Sequence, residues 1–558
     1  MPLNALINTL AALKKNLDNS ISAQLAFIAG LSGLIYVLFF TLRFPLTRLY
    51  NTIPPVDYAK LTHHSAGGLA AYIIGISLLF WLYCRAIRLA APDGGQRLEI
   101  GKQGFGDRDD GGTQRAFHRR PAVGGRFLLL NSSVLAVISV FCYPLTAIDL
   151  FVYAIWTRGW AVYGLVPTLT TPKSLPTGDP WLGLAGEWID AASPYGPVWE
   201  LLSWAAFHLS GGGFLAHLLA LKILAALAYV GCVWLVYQTL QYLRPEWAVA
   251  GAIAFAWNPL VLLESVQNGH NDIVMMFFLL AAIWTLVRWR NYHHPYLVAL
   301  LICLLLALSI LVKFITVLIV PFILAGMVVK NRTSWRQWGL VLVYGVFIAG
   351  IVVAAMTPFW PGWNNWAVVQ ANSGAGRSLL ALLILSLRKV INTNAAFDLA
   401  RNIIYLTFGL IYLFYLWRTL VEWGLLTLLK GRNSSATNSN NNFSSSPLRF
   451  ASAFSVLFWY VLLAAPVFHA WYLLWFSPLA ALLLPYRRPL RATIAFSITA
   501  LLVIPYFETI RVWYPFLLDN QLIGHLVGVP SLIVPPVIAL LWPIRSSDHS
   551  EVLLGRKQ

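Results

Sequence analysis

Five polar clusters in this chain could do chemistry, and each lies beside an apolar run where such residues are expensive to keep. The first is Ala147-Ile148-Asp149-Leu150-Phe151-Val152-Tyr153. A lone carboxylate such as Asp149 can take the proton of an attacking hydroxyl as a general base. It can equally cap a short helix beginning at Leu150, because Asp is a common N-cap residue. The second is Asn268-Gly269-His270-Asn271-Asp272, preceded by Asn258-Pro259 and Glu264. A tight turn needs only some of these side chains, and the surplus His and Asp suit the hydroxyls of a sugar, which favours a binding role over a bare turn. Lys313, the third, is a single cation between two apolar runs. Its stem can snorkel the ammonium to the interface, or the ammonium can neutralise a phosphate there, and the second role is preferred.

The fourth cluster is Thr357-Pro358-Phe359-Trp360-Pro361-Gly362-Trp363-Asn364-Asn365-Trp366, with Arg377 following it. It reads either as an aromatic belt at the membrane surface or as sugar-stacking rings beside an Arg that clamps phosphate. In the fifth, Phe468-His469-Ala470-Trp471-Tyr472-Leu473-Leu474-Trp475, the aromatics can simply anchor a helix, but anchoring does not explain His469. A further turn signal, Ser193-Pro194-Tyr195-Gly196-Pro197-Val198-Trp199, could shape a groove for substrate.

The elements that must hold these residues are membrane helices. Hydrophobic residues make up 59% of the 558 positions and charged residues 11%, so water is not the main solvent for this chain. A spanning helix needs about 20 mostly apolar residues, and the runs predict an all-α polytopic bundle of about fourteen transmembrane helices with short interfacial helices. Residues 85–126 form the densest cationic stretch, rich in Gly, and should be a cytoplasmic loop. Residues 149–213 hold Asp149, Asp179, Glu187, Asp190 and Glu200 against Arg158 and Lys173, an outer-face character. Alternating from there, the runs 214–240, 248–266, 273–287, 296–312, 314–329, 339–356 and 402–417 put Lys330, Arg332, Arg336 and Arg418 inside. The apolar piece 378–387 is too short to span and should lie at the interface. Four more runs follow at 450–465, 471–484, 492–507 and 526–541.

On this topology all five clusters fall at outer helix ends, and both termini are cytoplasmic, with residues 1–24 read as a retained leader. The domain reading is residues 1–126 for two leading helices and the basic loop, and 127–430 for a transmembrane core. Residues 431–447, rich in Ser and Asn, form a disordered cytoplasmic linker, and 448–558 supply helices that complete the core.

The net charge of +18 is scattered through short loops instead of forming one basic face, so it predicts contact with anionic lipid and no nucleic-acid partner. Cys84, Cys142, Cys232 and Cys303 lie in apolar runs without paired spacing and read as buried thiols. The sequence carries no P-loop, no dinucleotide-binding glycine fingerprint and no HExxH.

Taken in order, Asp149 and Tyr153, Tyr195-Gly196-Pro197, Asn258-Pro259, Asn268-Gly269-His270-Asn271-Asp272, Val312-Lys313, and His469 with Trp471-Tyr472 resemble the membrane-embedded type C glycosyltransferases that use polyprenol-phosphate sugars. The nearest resemblance is to bacterial alpha-1,6-mannosyltransferases, and it covers roughly residues 127–484. The chain departs from the simplest pattern in having one acidic residue, not an adjacent pair, in the first outer loop. The resemblance implies transfer of one hexose, mannose by analogy, from a polyprenyl-phosphate donor to a hydroxyl of a lipid or glycan acceptor, with inversion, at the outer face of a bacterial inner membrane. It implies Asp149 as base, Lys313 or Arg377 against leaving-group charge, and Tyr153, Tyr195, Asn268, His270, Asn271, Asp272, His469, Trp471 and Tyr472 as substrate contacts, without metal or cofactor. The rival readings are a transporter or flippase for a lipid-linked sugar, which would place its coupling site near the midplane, and a non-catalytic membrane subunit.

Overall fold

The computed structural model describes residues 20–52, 65–92, 123–289, 293–328, 334–362, 375–422 and 450–543. The expected linker at 431–447, most of the basic loop and Trp363, Asn364, Asn365 and Trp366 lie outside them.

Among the described residues the protein is all-α, with two isolated β-bridges and no strand. The helices are α1 (Ile21–Ile35, continued by the π-helical turn Tyr36–Thr41), α2 (Ala66–Ala90), α3 (Gly125–Val140), α4 (Asp149–Tyr163), α5 (Pro197–Leu209), α6 (Phe214–Leu243), α7 (Ala248–Ala256) and α8 (Pro259–Leu262). After the π-helical turn Leu263–Gln267 come α9 (Asp272–Arg288), α10 (Pro295–Val312), α11 (Val320–Ala325), α12 (Trp335–Met356), α13 (Leu379–Leu387) and α14 (Thr393–Glu422). The last are α15 (Ala451–Trp459), α16 (Ser477–Leu482), α17 (Arg487–Pro505) and α18 (Gln521–Leu541). By length and composition eight helices among the described residues can cross a membrane, or nine if the bent pair Pro245–Ala256 and Pro259–Gln267 is one span. Apolar side chains such as Leu130, Leu227, Leu342 and Leu406 face outward on these helices, as a lipid solvent requires. The chain is therefore a polytopic integral membrane protein.

Three expected spans are not simple. The run 248–266 bends by 56° between α7 and α8. Pro259 has no N–H to donate, and Asn258 caps the new helix by accepting from the Leu260 amide at 3.0 Å. Carbonyls near the bend gain hydroxyl partners: Tyr83 of α2 donates to Ala254 O and Tyr229 of α6 to Ala256 O, both at 2.6 Å. The other two runs, after Lys313 and after His469, begin as 3-10 turns (Phe314–Ile319 and Ala470–Trp475) and become α-helical only at α11 and α16. Each carries a proline at the start of its α-helix, Pro321 and Pro478, where a missing N–H is harmless. A 3-10 run of six residues is unusually long, and here each one starts at a residue singled out for its chemistry.

The expected interfacial piece after Ser378 is the nine-residue α13, with Ser378 capping its first turn. The span expected at 402–417 begins earlier, at Thr393, because Asn392 caps the amide of Ala395 and starts the helix there.

Candidate active site

Helix α3 ends at Val140, and the following irregular segment is fastened to distant parts of the chain one residue after another. Leu46 N donates to Phe141 O at 2.9 Å and Tyr143 N to Phe44 O at 2.7 Å. Lys222 Nζ donates to Cys142 O. Leu145 N reaches Asn268 Oδ1 at 2.7 Å, and Thr146 Oγ1 donates to Glu264 Oε1 at 2.9 Å. A buried backbone outside a helix must find such partners, and satisfying them fixes where Asp149 emerges. Asp149 is the first residue of α4 and is 6% exposed. Ile148 occupies the cap position, and no side chain caps the helix, so Asp149 is not the N-cap its type suggested. Burial raises its carboxyl above the ordinary range, while the nearby charges of His270 and Lys313 oppose that rise.

The second cluster lies against this segment. Glu264, in the π-helical turn before it, accepts from Asn268 Nδ2 at 2.8 Å as well as from Thr146. Asn268 also donates to Thr146 Oγ1, so its amide is spent on joining the two segments. Gly269 has φ +75, and a Cβ there would stand 2.9 Å from Leu150 Cδ1, so the turn needs glycine both for backbone conformation and for its close approach to α4. His270, Asn271 and Asp272 follow, all fully buried. Nδ1 of His270, the amide of Asn271 and Oδ2 of Asp272 have no hydrogen-bond partner within the protein, and His270 Nε2 stands 3.4 Å from Glu264 Oε2 without forming a hydrogen bond. Buried polar atoms in that state cost several kcal/mol together, at about 1–3 each, and a bound hydroxyl-rich ligand would relieve it.

Lys313 closes the site from α10. Its Nζ pairs with Asp272 Oδ1 at 2.8 Å, and Trp475 Nε1 donates to the same oxygen. The rings of Tyr195, Tyr472 and Trp475 stand 5.5, 5.6 and 5.5 Å from the ammonium. Three aromatic faces and one carboxylate thus hold a cation whose side chain is 17% exposed. Tyr195 is itself oriented by Tyr153, whose hydroxyl is 3.2 Å away. The turn carrying Tyr195 docks directly on the end of α10: Gly196 N donates to Val312 O at 3.2 Å, and a Cβ on Gly196 would come within 2.0 Å of Leu311 O.

From the C-terminal third, His270 and His469 each stack on Trp471, with ring centroids 4.1 Å apart in both pairs. Tyr472 stacks on Trp475 at 4.2 Å. Burial, followed by the charges of Arg377, Lys313 and His270, holds His469 well below the ordinary histidine range, so its imidazole is uncharged at neutral pH and suits hydroxyls better than phosphate. Arg377 borders this group through the bridge between Gly376 and Val467, but its guanidinium is paired with Glu508.

The structure therefore brings Asp149, Tyr153, Tyr195, His270, Asp272, Lys313, His469, Trp471 and Tyr472 into one contiguous site. Asn271 stands beside them in the same turn, Asn268 serves the scaffold, and Arg377 sits at the border. Sequence reasoning placed Glu264 and Trp475 in its clusters without giving either a role, and it passed over Lys222. Lys222 had a readable signal, since it is a lone lysine inside the run 214–240. Trp475 had none, because an indole N–H aimed at a carboxylate looks in sequence like one more interfacial tryptophan. Among the described residues no three His, Cys, Asp or Glu side chains converge as a metal-binding group.

Residues 28–329 match the MptA_B family, described as alpha-(1->6)-mannopyranosyltransferase, N-terminal domain. The match covers just over half of the chain. The chain belongs to this family. It is a membrane glycosyltransferase of the mannosyltransferase kind. A search of curated proteins finds no match. The matched region of this mannosyltransferase begins inside α1, so the leading helices, which the sequence alone left unassigned, fall within it. Asp149, the 268–272 turn and Lys313 are inside the match, whereas Arg377 and His469 to Trp475 lie beyond its end.

Proposed function

We propose that the protein transfers mannose from a polyprenyl-phosphate donor to a hydroxyl of a lipid or glycan acceptor, with inversion, at the outer face of a bacterial inner membrane with both termini cytoplasmic. The observation that carries this reading is a buried carboxylate, Asp149, beside a boxed cation, Lys313, with unpartnered hydrogen-bonding groups in the turn beside them. The acceptor oxygen forms the new bond to C1 of the sugar as the C1–O bond to phosphate breaks. Asp149 takes the acceptor proton, and the lipid phosphate departs with the bonding pair and an added negative charge. Lys313 offsets that charge, with Arg377 in support. His270, Asn271, Asp272 and the neutral His469 take sugar hydroxyls, and Trp471 offers a ring face. Inversion with an alpha product requires a beta-linked donor. The outer-face assignment rests on the acidic excess of residues 149–213 against the cationic 85–126.

The test is transfer of labelled mannose from polyprenyl-phosphate donor by purified protein in lipid. Asp149→Asn is expected to lower kcat about 10²–10⁴-fold, the usual share of a general base. Because the base must be ionised, kcat/KM of the wild type should fall about tenfold per pH unit on the acid side, with that limb displaced above the ordinary carboxylate range. A folded Asn variant with wild-type kcat would remove Asp149 from the role.

A further inference from the structure

Lys222 lies in α6, in a segment long and apolar enough to span the membrane, and is fully buried. No carboxylate lies within ion-pair distance of it among the described residues. A lysine in that setting is costly to keep and is a functional candidate by default. It touches no residue assigned a chemical role above. Its Nζ donates instead to Cys142 O, just past the end of α3, where a cation also meets the negative end of the helix dipole. Its stem passes beneath the sugar-binding turn: a Cβ built on Gly269 would lie 3.5 Å from Lys222 Cγ, and 2.9 Å from Leu150 Cδ1. One side chain therefore bonds the segment that delivers Asp149 and lies beside the turn that delivers His270 and Asp272.

We propose that Lys222 is a positioning residue that sets the register between the base-bearing segment and the sugar-binding turn. The inference rests on the roles of Asp149 and the turn proposed above. Alternative anchors do not replace it. Leu145 and Thr146 are tied to Asn268 and Glu264, on the N-terminal side of Gly269, and Leu46 holds Phe141 from the leading helices, whereas Lys222 holds the carbonyl of Cys142 between those two points. From α6, Phe214 packs on Phe151 of α4 and Cys232 donates to Ile273 O of α9, but of these three it is Lys222 that bonds the irregular segment before Asp149 and lies beside Gly269. Binding of the donor phosphate by Lys313 does not involve it, so its loss should disturb the reacting geometry and leave donor affinity alone. Misplacement on the order of 1 Å lowers rates about 100-fold.

The experiment uses full-length protein in lipid, with initial rates measured against polyprenyl-phosphate mannose concentration and folding followed by thermal unfolding. Lys222→Met keeps the stem and removes the donor. The expected result is a kcat about 10- to 100-fold lower with donor KM within about threefold of wild type. Should the Met variant fail to fold, Lys222→Gln decides, since its amide is one bond too short to reach Cys142 O in the same geometry; about tenfold lower kcat at unchanged KM is expected. Wild-type kcat in a folded variant overturns the proposal, as does a loss seen wholly in KM. If the wild type itself transfers no mannose from this donor, the functional reading fails instead, and the two failures are separate.

Discussion

Asp272 receives two donors on one oxygen, from Lys313 and from Trp475, while its second oxygen has no protein partner. The carboxylate is thus asymmetric: Oδ1 holds the cation in place and Oδ2 carries no protein hydrogen bond. The Trp475 indole is then more than a membrane anchor. Trp475→Phe keeps the ring face toward Lys313 but deletes the N–H. A hydrogen bond to a charged group contributes about 1.5–3 kcal/mol, so kcat should fall about tenfold or more as Asp272 rotates and Lys313 follows it. Steady-state kinetics checks this, and an unchanged kcat would show that Lys313 alone orients the carboxylate. At this scale the sequence was informative about identity and silent about role. The types Asp149, His270, Lys313 and His469 pointed to a site because a bilayer tolerates them poorly. Asn268, from the same motif, proved to be scaffold, because which amide faces a ligand depends on a tertiary partner, Thr146, that lies 122 residues away in the chain.

The elements are arranged so that helix ends, not helix faces, meet at the site. Asp149 opens α4, Asp272 opens α9, Lys313 follows α10, and His469 precedes a 3-10 turn. Side chains at helix ends can be aimed by the local backbone, whereas those at midspan are fixed by helical period. Periodicity located the spans, yet it could not see the 3-10 turns or the bend at Pro259, which arise where prolines and tertiary partners override an apolar pattern. The contact of the Tyr195 turn with α10 is the tightest of these junctions. Gly196→Ala would drive a methyl into Leu311 O, so α5 and the end of α10 must separate. Lys313, two residues on, would lose the Tyr195 face. The variant should unfold at lower temperature and show a raised donor KM, measurable by thermal melting and by rates against donor concentration. Normal donor KM would mean that Tyr195 is dispensable to the cation.

For the whole molecule, the leading helices belong to the catalytic body. The hydroxyl of Tyr83 on α2 donates to a carbonyl of the bent α7, that of Tyr72 donates to Leu501 O of α17 at 3.2 Å, and the loop after α1 pairs with residues 141–143. Composition and charge gave the membrane class directly. They could not show that the first two helices were part of the core, since their contacts are hydroxyls on otherwise apolar faces. Tyr83→Phe leaves the Ala254 carbonyl without this partner, which should cost about 1–3 kcal/mol. The expected outcome is a lower unfolding temperature in lipid with activity retained at low temperature. If stability is unchanged, α2 is a passenger on the core.

The meeting of Trp471 and Trp475 with residues made far earlier also has a consequence for biosynthesis. During translation, Asp149, Asp272 and Lys313 enter the membrane well before the indoles that stack on His270 and bind Asp272 have been made. Until that last third is inserted, the growing chain holds these polar residues in lipid without the indoles that pack on them. A chain ending before Trp471 lacks the stacking partner of both histidines and one of the two donors to Asp272.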